Sequence, residues 1–266
     1  MRICCGSVCY RQLSLGEMLK QVAEAGYRAV ELVAVPNWIH VDLRKTNADD
    51  LGRRIEDAGL ELAAIYPGGV NCASPDKVRE SVDYIKLAVD VAEELGVRRI
   101  VFTGNRRDSA PLSAAISGYK ELAKYLEARG VMICLENHYQ NQIEFPEDYK
   151  QILDAVDSDN FGVTIDTGHF TASKVDLLKL VDTFGERIKH VHVKDHIGAE
   201  SVPLGKGETN NAGLIRRLAQ MEYPGFLSVE VEAKDHENNP RYAREALPNL
   251  EELVDKAMDE VVEGEQ

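Results

Sequence analysis

The feature that most restricts the fold of this chain is a repeated alternation of short apolar segments with longer helical patterns. The short segments are rich in β-branched residues and are apolar on both faces, as buried parallel strands are. They end, at intervals of 26 to 38 residues, near Cys5, Glu31, Tyr66, Thr103, Glu136, Asp166, His192 and Glu230. Each interval is long enough for a crossover helix, and the sequence therefore predicts eight β–α units.

Helix start signals lie between these segments. Ser14 and Glu17 have the spacing of a capping box, in which each residue bonds the backbone of the other. Ser74-Pro75 provides an N-cap and a first-turn proline for a later helix. Asn239-Pro240 begins the last helix, which we expect Pro248 to kink or split because proline cannot donate a backbone hydrogen bond.

Eight such units in 266 residues match the size of a closed barrel. The predicted fold is α/β, a single (β/α)8 TIM barrel domain over residues 1–266, with its active site at the C-terminal strand ends. A doubly wound sheet is the alternative. However, the turn after the first segment, Cys5-Gly6-Ser7, lacks the glycine-rich fingerprint typical of that fold.

Charge and hydropathy exclude several classes of partner. The chain has 31 Lys and Arg against 45 Asp and Glu, a net charge of −14 that repels nucleic-acid phosphates. The longest uncharged run, from Leu62 to Pro75, has 14 residues and is too short to cross a bilayer. No basic and then apolar leader precedes the segment at Ile3. We therefore expect a cytoplasmic protein with neither nucleic-acid nor membrane partners.

The last four predicted strands each end in an ionisable side chain. Because side chains alternate between the lumen and the helix layer, all four are expected to face the barrel axis. These residues are Glu136, Asp166, His192 and Glu230. Alternation alone leaves a choice open, since His190 has the same parity as His192, and Glu232 has the same parity as Glu230.

Three carboxylates that face one axis predict a bound cation. Without one, their burial would be costly through desolvation and mutual repulsion. Three carboxylates and one imidazole form an oxygen-rich donor set, which suits Mn²⁺, Mg²⁺ or Co²⁺ better than a structural zinc that favours thiolates. We expect a divalent metal ion, Mn²⁺ first, with Mg²⁺, Co²⁺ or Zn²⁺ as alternatives.

The strand-end motifs resemble those of the xylose-isomerase-like TIM barrel superfamily. The motifs are Leu135-Glu136-Asn137-His138, Ile165-Asp166-Thr167-Gly168-His169, His190-Val191-His192-Val193-Lys194-Asp195 and Leu227-Ser228-Val229-Glu230. The resemblance covers the whole chain and is greatest to the sugar-phosphate isomerase/epimerase group, which includes ketose 3-epimerases, hydroxypyruvate isomerase and inosose dehydratase. It implies that the metal ligands are Glu136, Asp166, His192 and Glu230.

The same resemblance implies a metal-dependent isomerase or epimerase of a sugar, a sugar phosphate or a related hydroxy-carbonyl compound. Glu136 and Glu230 would be the catalytic residues, with one removing a proton and the other returning one through a metal-stabilised enediolate. A metal-dependent dehydratase of a polyol ketone such as an inosose is the alternative, and an apurinic-site endonuclease-like zinc enzyme is a third. The loop from His196 to Thr209 lacks the arginine that ketose 3-epimerases place there, which argues against a free-ketose 3-epimerase.

Four further residues are candidate substrate contacts. The resemblance assigns this role to His169, whereas His138 suits either a substrate contact or a structural role in its loop. Lys194 either binds substrate or orients His192 from outside the ligand set. Asn105, with the arginines that follow it, is a candidate for holding a phosphate or carboxylate.

Two aromatic residues near the ends of the second and third strands complete the predicted site. Trp38 and Tyr66 would wall the pocket against the apolar face of a small sugar-like substrate, or else pack in the core or in an interface. Family members often form homodimers or homotetramers, and we expect such an assembly here.

Overall fold

The computed structural model describes residues 1–264, and its centre is a closed cylinder of parallel strands. Numbered in chain order, the strands in this range are β1 (Arg2–Gly6), β2 (Ala29–Val35), β3 (Ile39–His40), β4 (Glu61–Tyr66), β5 (Arg99–Thr103), β6 (Met132–Glu136), β7 (Phe161–Asp166), β8 (Ile188–Val193), β9 (Asp195–Ile197), β10 (Glu200–Val202) and β11 (Phe226–Val229). The neighbours around the cylinder follow the order β1-β11-β8-β7-β6-β5-β4-β2, and β1 pairs with β2 to close it. The predicted (β/α)8 TIM barrel is confirmed.

Helices surround the barrel, and those at Ser14, Ser74 and Asn239 begin where the sequence predicts. They are α1 (Leu15–Glu24), α2 (Ala48–Asp57), α3 (Pro75–Glu94), α4 (Ser113–Leu126), α5 (Pro146–Val156), α6 (Thr167–Ala172), α7 (Leu177–Phe184), α8 (Asn211–Gln220) and α9 (Asn239–Gly264). The capping box of Ser14 and Glu17 is present at α1. Pro248 lies inside α9 without dividing it, because the buried Leu247 and Leu250 on either side hold this part of the helix in the core.

Strand register sets the level of each inward side chain. Asp166 on β7 lies opposite His192 on β8, and Ser228 on β11 lies opposite His192 on the other side. His190 is opposite Thr164, which places it one inward layer deeper in the barrel. Strand register therefore places His190 and His192 at different depths in the barrel, a distinction that alternation alone does not give.

The organisation of the chain raises two further points. No helix within residues 1–264 combines the length and the apolar character needed to cross a bilayer. That residues 1–266 form a single domain stays a prediction, and residues 265 and 266 lie outside the described part of the chain.

Candidate active site and metal centre

The C-terminal mouth of the barrel holds a buried cluster of three carboxylates and one imidazole. Strands β6, β7 and β8 and the residue after β11 supply Glu136, Asp166, His192 and Glu230, and one ligand atom of each lies within 4.8 Å of the other three. His192 Nδ1 is 2.7 Å from Glu136 Oε1, 3.5 Å from Glu230 Oε2 and 3.8 Å from Asp166 Oδ2. The structure thus brings together all four residues that the sequence predicts as metal ligands.

Glu230 reaches this cluster because the backbone around it is closely fitted. Its N–H donates to Val193 O at 3.2 Å, which extends the ladder between β11 and β8 by one residue. Gly6 at the end of β1 leaves space for the side chain, since a Cβ at that position would lie 2.7 Å from Glu230 Cγ. A glycine at the end of β1 therefore allows Glu230 to turn toward the barrel axis.

The two carboxylate oxygens of Asp166 have different contacts. Oδ1 accepts the His169 N–H at 2.8 Å and so caps α6. The side-chain amide of Asn137 fixes the backbone of Asp166, donating to its carbonyl at 3.0 Å and accepting its N–H at 2.8 Å. Oδ2 faces the cluster, 3.1 Å from Lys194 Nζ, but accepts no hydrogen bond of adequate geometry within residues 1–264. A buried carboxylate oxygen without a hydrogen bond is costly, and this atom fits the role of a metal ligand.

Glu31 on β2, a residue without a predicted role, supports the cluster from across the barrel. Its Oε1 lies 3.0 Å from His192 Nε2 and its Oε2 lies 2.7 Å from His190 Nε2, with all three side chains buried. Because a carboxylate only accepts, His192 Nε2 carries a hydrogen, and Nδ1 is the nitrogen turned toward the other carboxylates. A charged residue inside an apolar strand was the available signal, since buried charges are normally paired.

Regular alternation along β2 explains how Glu31 comes to point at these histidines. Val30 and Leu32, on either side of it, pack in the large hydrophobic core, whereas Val33 lines the mouth of the barrel. The pairing of β2 with β4 shifts at this point, but the extra residue, Ala63, lies on β4. Glu31 therefore faces the barrel axis with the parity of its own strand.

The cluster carries an excess of negative charge. Burial raises the pKa of Glu230 to about 7, against the opposing effect of the nearby cations His192 and Lys194. Burial acts to lower the pKa of His192, but the surrounding carboxylates, Glu230 foremost, raise it well above its usual value. The shift of His192 indicates an imidazole surrounded by carboxylates, and such a donor set fits a divalent metal ion.

Lys194 is a cation of the chain inside this cluster. Its buried Nζ lies 2.9 Å from Glu230 Oε2, 2.9 Å from Glu232 Oε2 and 3.1 Å from Asp166 Oδ2. The ammonium group is the main reason that the pKa of Glu232 falls to about 2. The Glu232 N–H donates to Ser201 Oγ at 3.2 Å, which ties this rim of the site to β10.

A cavity of about 100 Å³ opens directly above the cluster. Both predicted catalytic carboxylates, Glu136 and Glu230, line it, together with three predicted substrate contacts, His138, His169 and Lys194. The rings of His138 and His169 are adjacent, with centroids 3.8 Å apart. Burial lowers the pKa of His169 well below its usual value, so this imidazole is neutral. We call this space the inner cavity.

Of the remaining predicted site residues, the structure brings two to the inner cavity and places one elsewhere. Trp38 and Tyr66 line its outer side, as predicted for the walls of a pocket. Asn105 lies outside it, where its side chain donates to Val70 O and accepts the Cys72 N–H at 3.3 Å. A substrate-binding role for Asn105 stays a prediction, and its visible contacts are with the neighbouring loop.

The arginines after Asn105 already have acidic partners. Arg106 pairs with Asp108 at 2.9 Å, and Arg107 pairs with Glu144 at 3.3 Å and Asp148 at 2.5 Å. Their charge is therefore shared with carboxylates of the chain, and their contacts tie this loop to the segment before α5.

The carboxylate of Asp195, in the strand-end motif of β8, fixes a loop near the mouth. Asp195 Oδ2 accepts the N–H groups of Gly205 and Gly207, each at 2.9 Å, and Oδ1 accepts the Thr209 N–H at 3.1 Å. The same segment begins as a hairpin of β9 and β10. Asp195 therefore acts as the anchor of this loop.

A closed parallel barrel with acidic and imidazole side chains gathered at its C-terminal mouth defines the class as a TIM barrel with a candidate metal centre. The family model described as xylose isomerase-like TIM barrel matches residues 19–253. The chain belongs to this family.

Named relatives cover nearly the whole chain. An inosose dehydratase of Mesomycoplasma hyopneumoniae (strain J) is 24% identical over 280 residues, covering 91% of this chain and 89% of its own. A fructoselysine 3-epimerase of Shigella flexneri is 24% identical over 273 residues, covering 92% and 95%. The solved structure of an L-ribulose 3-epimerase superposes with a TM-score of 0.81 at 19% identity, covering 97% of this chain and 96% of the other, and shows a shared fold.

Proposed function

We propose that this chain is a divalent-metal-dependent isomerase or epimerase of a sugar or a related hydroxy-carbonyl compound. The observation that carries the proposal is the buried cluster of Glu136, Asp166, His192 and Glu230 at the mouth of a barrel of this family. Relatives named fructoselysine 3-epimerase and inosose dehydratase support an activity on sugar-like molecules. The proposed assembly remains the homodimer or homotetramer common in the family.

These four residues would hold the ion, and Glu31 would orient His192 toward it. The donor set of three carboxylates and one imidazole favours Mn²⁺, with Mg²⁺, Co²⁺ or Zn²⁺ as alternatives. When bound, such an ion polarises the substrate oxygens and makes the adjacent C–H more acidic. Asp166 Oδ2, which faces the cluster, and the three carboxylates gathered around one imidazole support this assignment.

Glu136 and Glu230 are the proposed catalytic pair. Both line the inner cavity, and they approach it from different sides because β7 and β8 separate β6 from β11 in the barrel. One carboxylate accepts the substrate proton and the other donates one, which inverts a carbon centre or moves a carbonyl group. His169 and Lys194, whose Nε2 and Nζ are 3.5 Å apart, would bind substrate oxygens beside them.

Dehydration of a polyol ketone is the second candidate function. The inosose dehydratase relative supports it, and the same pair of carboxylates would serve. The first step, removal of a proton next to a carbonyl, is common to both reactions. The outcome then depends on whether a proton returns to carbon or a β-hydroxyl group leaves as water.

A single experiment separates these functions. Protein loaded with Mn²⁺ is incubated in D₂O with fructoselysine, L-ribulose and an inosose, and the products are analysed by mass spectrometry. We expect incorporation of one deuterium without other change of mass for an isomerase or epimerase, and loss of water for a dehydratase. Chelator-treated protein is the control. Unaltered substrates in every reaction would contradict both functions.

Replacing Glu31 by alanine is expected to weaken Mn²⁺ binding by about 10- to 100-fold, because His192 loses the partner that fixes its orientation. Isothermal titration calorimetry measures the change without reference to activity. Glu31→Gln keeps an acceptor and should give a smaller loss. Glu61→Gln, at the exposed start of β4, is the matched control. Affinity within twofold of the parent protein in Glu31→Ala would show that Glu31 does not support the ligand.

A further inference from the structure

A large groove lies beside the inner cavity on the same face of the barrel. Its volume is about 810 Å³, and the segments after β2, β4 and β5 line it together with α3. Asn37 and Pro67 belong to the groove, and the residues next to them in sequence, Trp38 and Tyr66, belong to the inner cavity. The two spaces therefore share a wall above β2 and β4, and we call the larger one the outer groove.

The volumes of the two spaces indicate which part of a ligand each can hold. The inner cavity of about 100 Å³ has room for about three water molecules at roughly 30 Å³ each. Ligand pockets usually measure about 300–1,000 Å³, and the outer groove falls in that range. A substrate that places its reacting carbons between Glu136 and Glu230 therefore has its bulk outside, and the shared wall directs it toward the groove.

The outer groove presents charges of both signs. Arg44 and Lys77 line it, and so do Glu80 and Asp83 on α3. Lys77 Nζ lies 2.6 Å from Glu80 Oε2, but both side chains are mostly exposed, as is that of Asp83, and that of Arg44 is half exposed. Exposed ion pairs of this kind are weak, so a ligand can compete for these groups. A phosphate would be attracted by the two cations but repelled by the two carboxylates.

Arg44 retains donors for a ligand. Its Nε and Nη2 each donate to Asp42 at 2.9 Å, and its guanidinium lies over the ring of Tyr84 at 5.4 Å. A guanidinium has five N–H donors, so these two bonds hold it in place without using all of them. A fixed guanidinium with free donors suits recognition of a carboxylate.

We propose that the outer groove binds an α-amino-acid substituent of the substrate, so that the substrate class is a ketose joined to an amino acid through an amine. This inference rests on the proposed function of the inner cavity. The carboxylate of the substituent would meet Arg44, and its ammonium group would meet Glu80. A ligand of both charges fits the groove, whereas a free ketose leaves it without a partner.

The test is the binding of fructoselysine and of fructose to protein loaded with Mn²⁺, measured by isothermal titration calorimetry. We expect fructoselysine to bind at least about tenfold more tightly, since one charge-assisted contact contributes about that factor. Arg44→Gln and Glu80→Gln should each reduce the ratio of the two affinities by about tenfold. Arg216→Gln removes an exposed arginine paired with Glu260 away from the groove, and it should leave the ratio unchanged.

Equal affinity for the two ligands, no binding of either, or an unchanged ratio in both groove variants would overturn the inference. Deuterium exchange into the same ligands tests the proposed function separately. Tight binding of fructoselysine without exchange would contradict the proposed chemistry while supporting the groove. Deuterium exchange into both ligands, together with equal affinity for them, would support the proposed chemistry and contradict the role of the groove.

Discussion

Glu230→Gln is expected to lower the rate of deuterium exchange into the substrate by about 10²- to 10⁴-fold, the usual contribution of a general acid or base. The amide cannot accept the proton that the carboxylate would take, although it has nearly the same shape. Glu136→Gln should show a loss of the same order, because both carboxylates line the inner cavity and would act as a pair. Mass spectrometry of the substrate after timed incubation in D₂O measures both rates.

These two variants also change proposed metal ligands, so their metal content must be measured alongside exchange. Variants that retain Mn²⁺ and lose exchange identify a proton-transfer role, whereas loss of both indicates a ligand role. Glu144→Gln is the matched control, since Glu144 is a buried carboxylate that pairs with Arg107 outside the cavity. Full exchange in both Glu136→Gln and Glu230→Gln would refute the proposed chemistry.

Lys194→Met is expected to lower the free energy of unfolding of the metal-free protein by about 3–5 kcal/mol, the usual cost of leaving a buried charge without its partner. Lys194 Nζ lies within 3.1 Å of oxygens of Asp166, Glu230 and Glu232, and methionine fills the space without neutralising them. Urea unfolding with a chelator present measures the loss. Added Mn²⁺ should stabilise the variant more than the parent protein, because more negative charge then surrounds the ion.

Lys189→Met provides the comparison for this result. Lys189 lies on β8 as well, but it is half-buried and distant from the inner cavity in register. We expect a change below about 1 kcal/mol there, as for most substitutions outside a buried ion pair. A similarly small change in Lys194→Met would mean that the carboxylates do not depend on this ammonium group.

The barrel and the four cluster residues follow from sequence because each rests on a local rule. Apolar segments of strand length repeat with room for a helix between them, which predicts eight β–α units. Alternation along β6, β7 and β8 then aims Glu136, Asp166 and His192 at the axis. The motifs of the family select His192 over His190, and strand register gives the physical reason.

Glu31 and the outer groove escaped prediction because both depend on distant parts of the chain. Glu31 meets His192 across the barrel interior, 161 residues away in sequence. The groove forms where α3 and the loops after three strands meet. No periodicity in the sequence encodes such a meeting, and Asn105 illustrates this, since it lines the groove beside the loop at Val70 and Cys72.

The loop that Asp195 anchors affects how a ligand is recognised. Three backbone N–H groups converge on its carboxylate and hold the segment that follows the β9–β10 hairpin, while Ser201 of that hairpin bonds the backbone of Glu232 at the rim. The conformational entropy of this segment is therefore lost during folding and not when a ligand arrives, which lowers the cost of association at the neighbouring rim. Glu232, which lines the inner cavity, is held in position by this segment before a ligand binds.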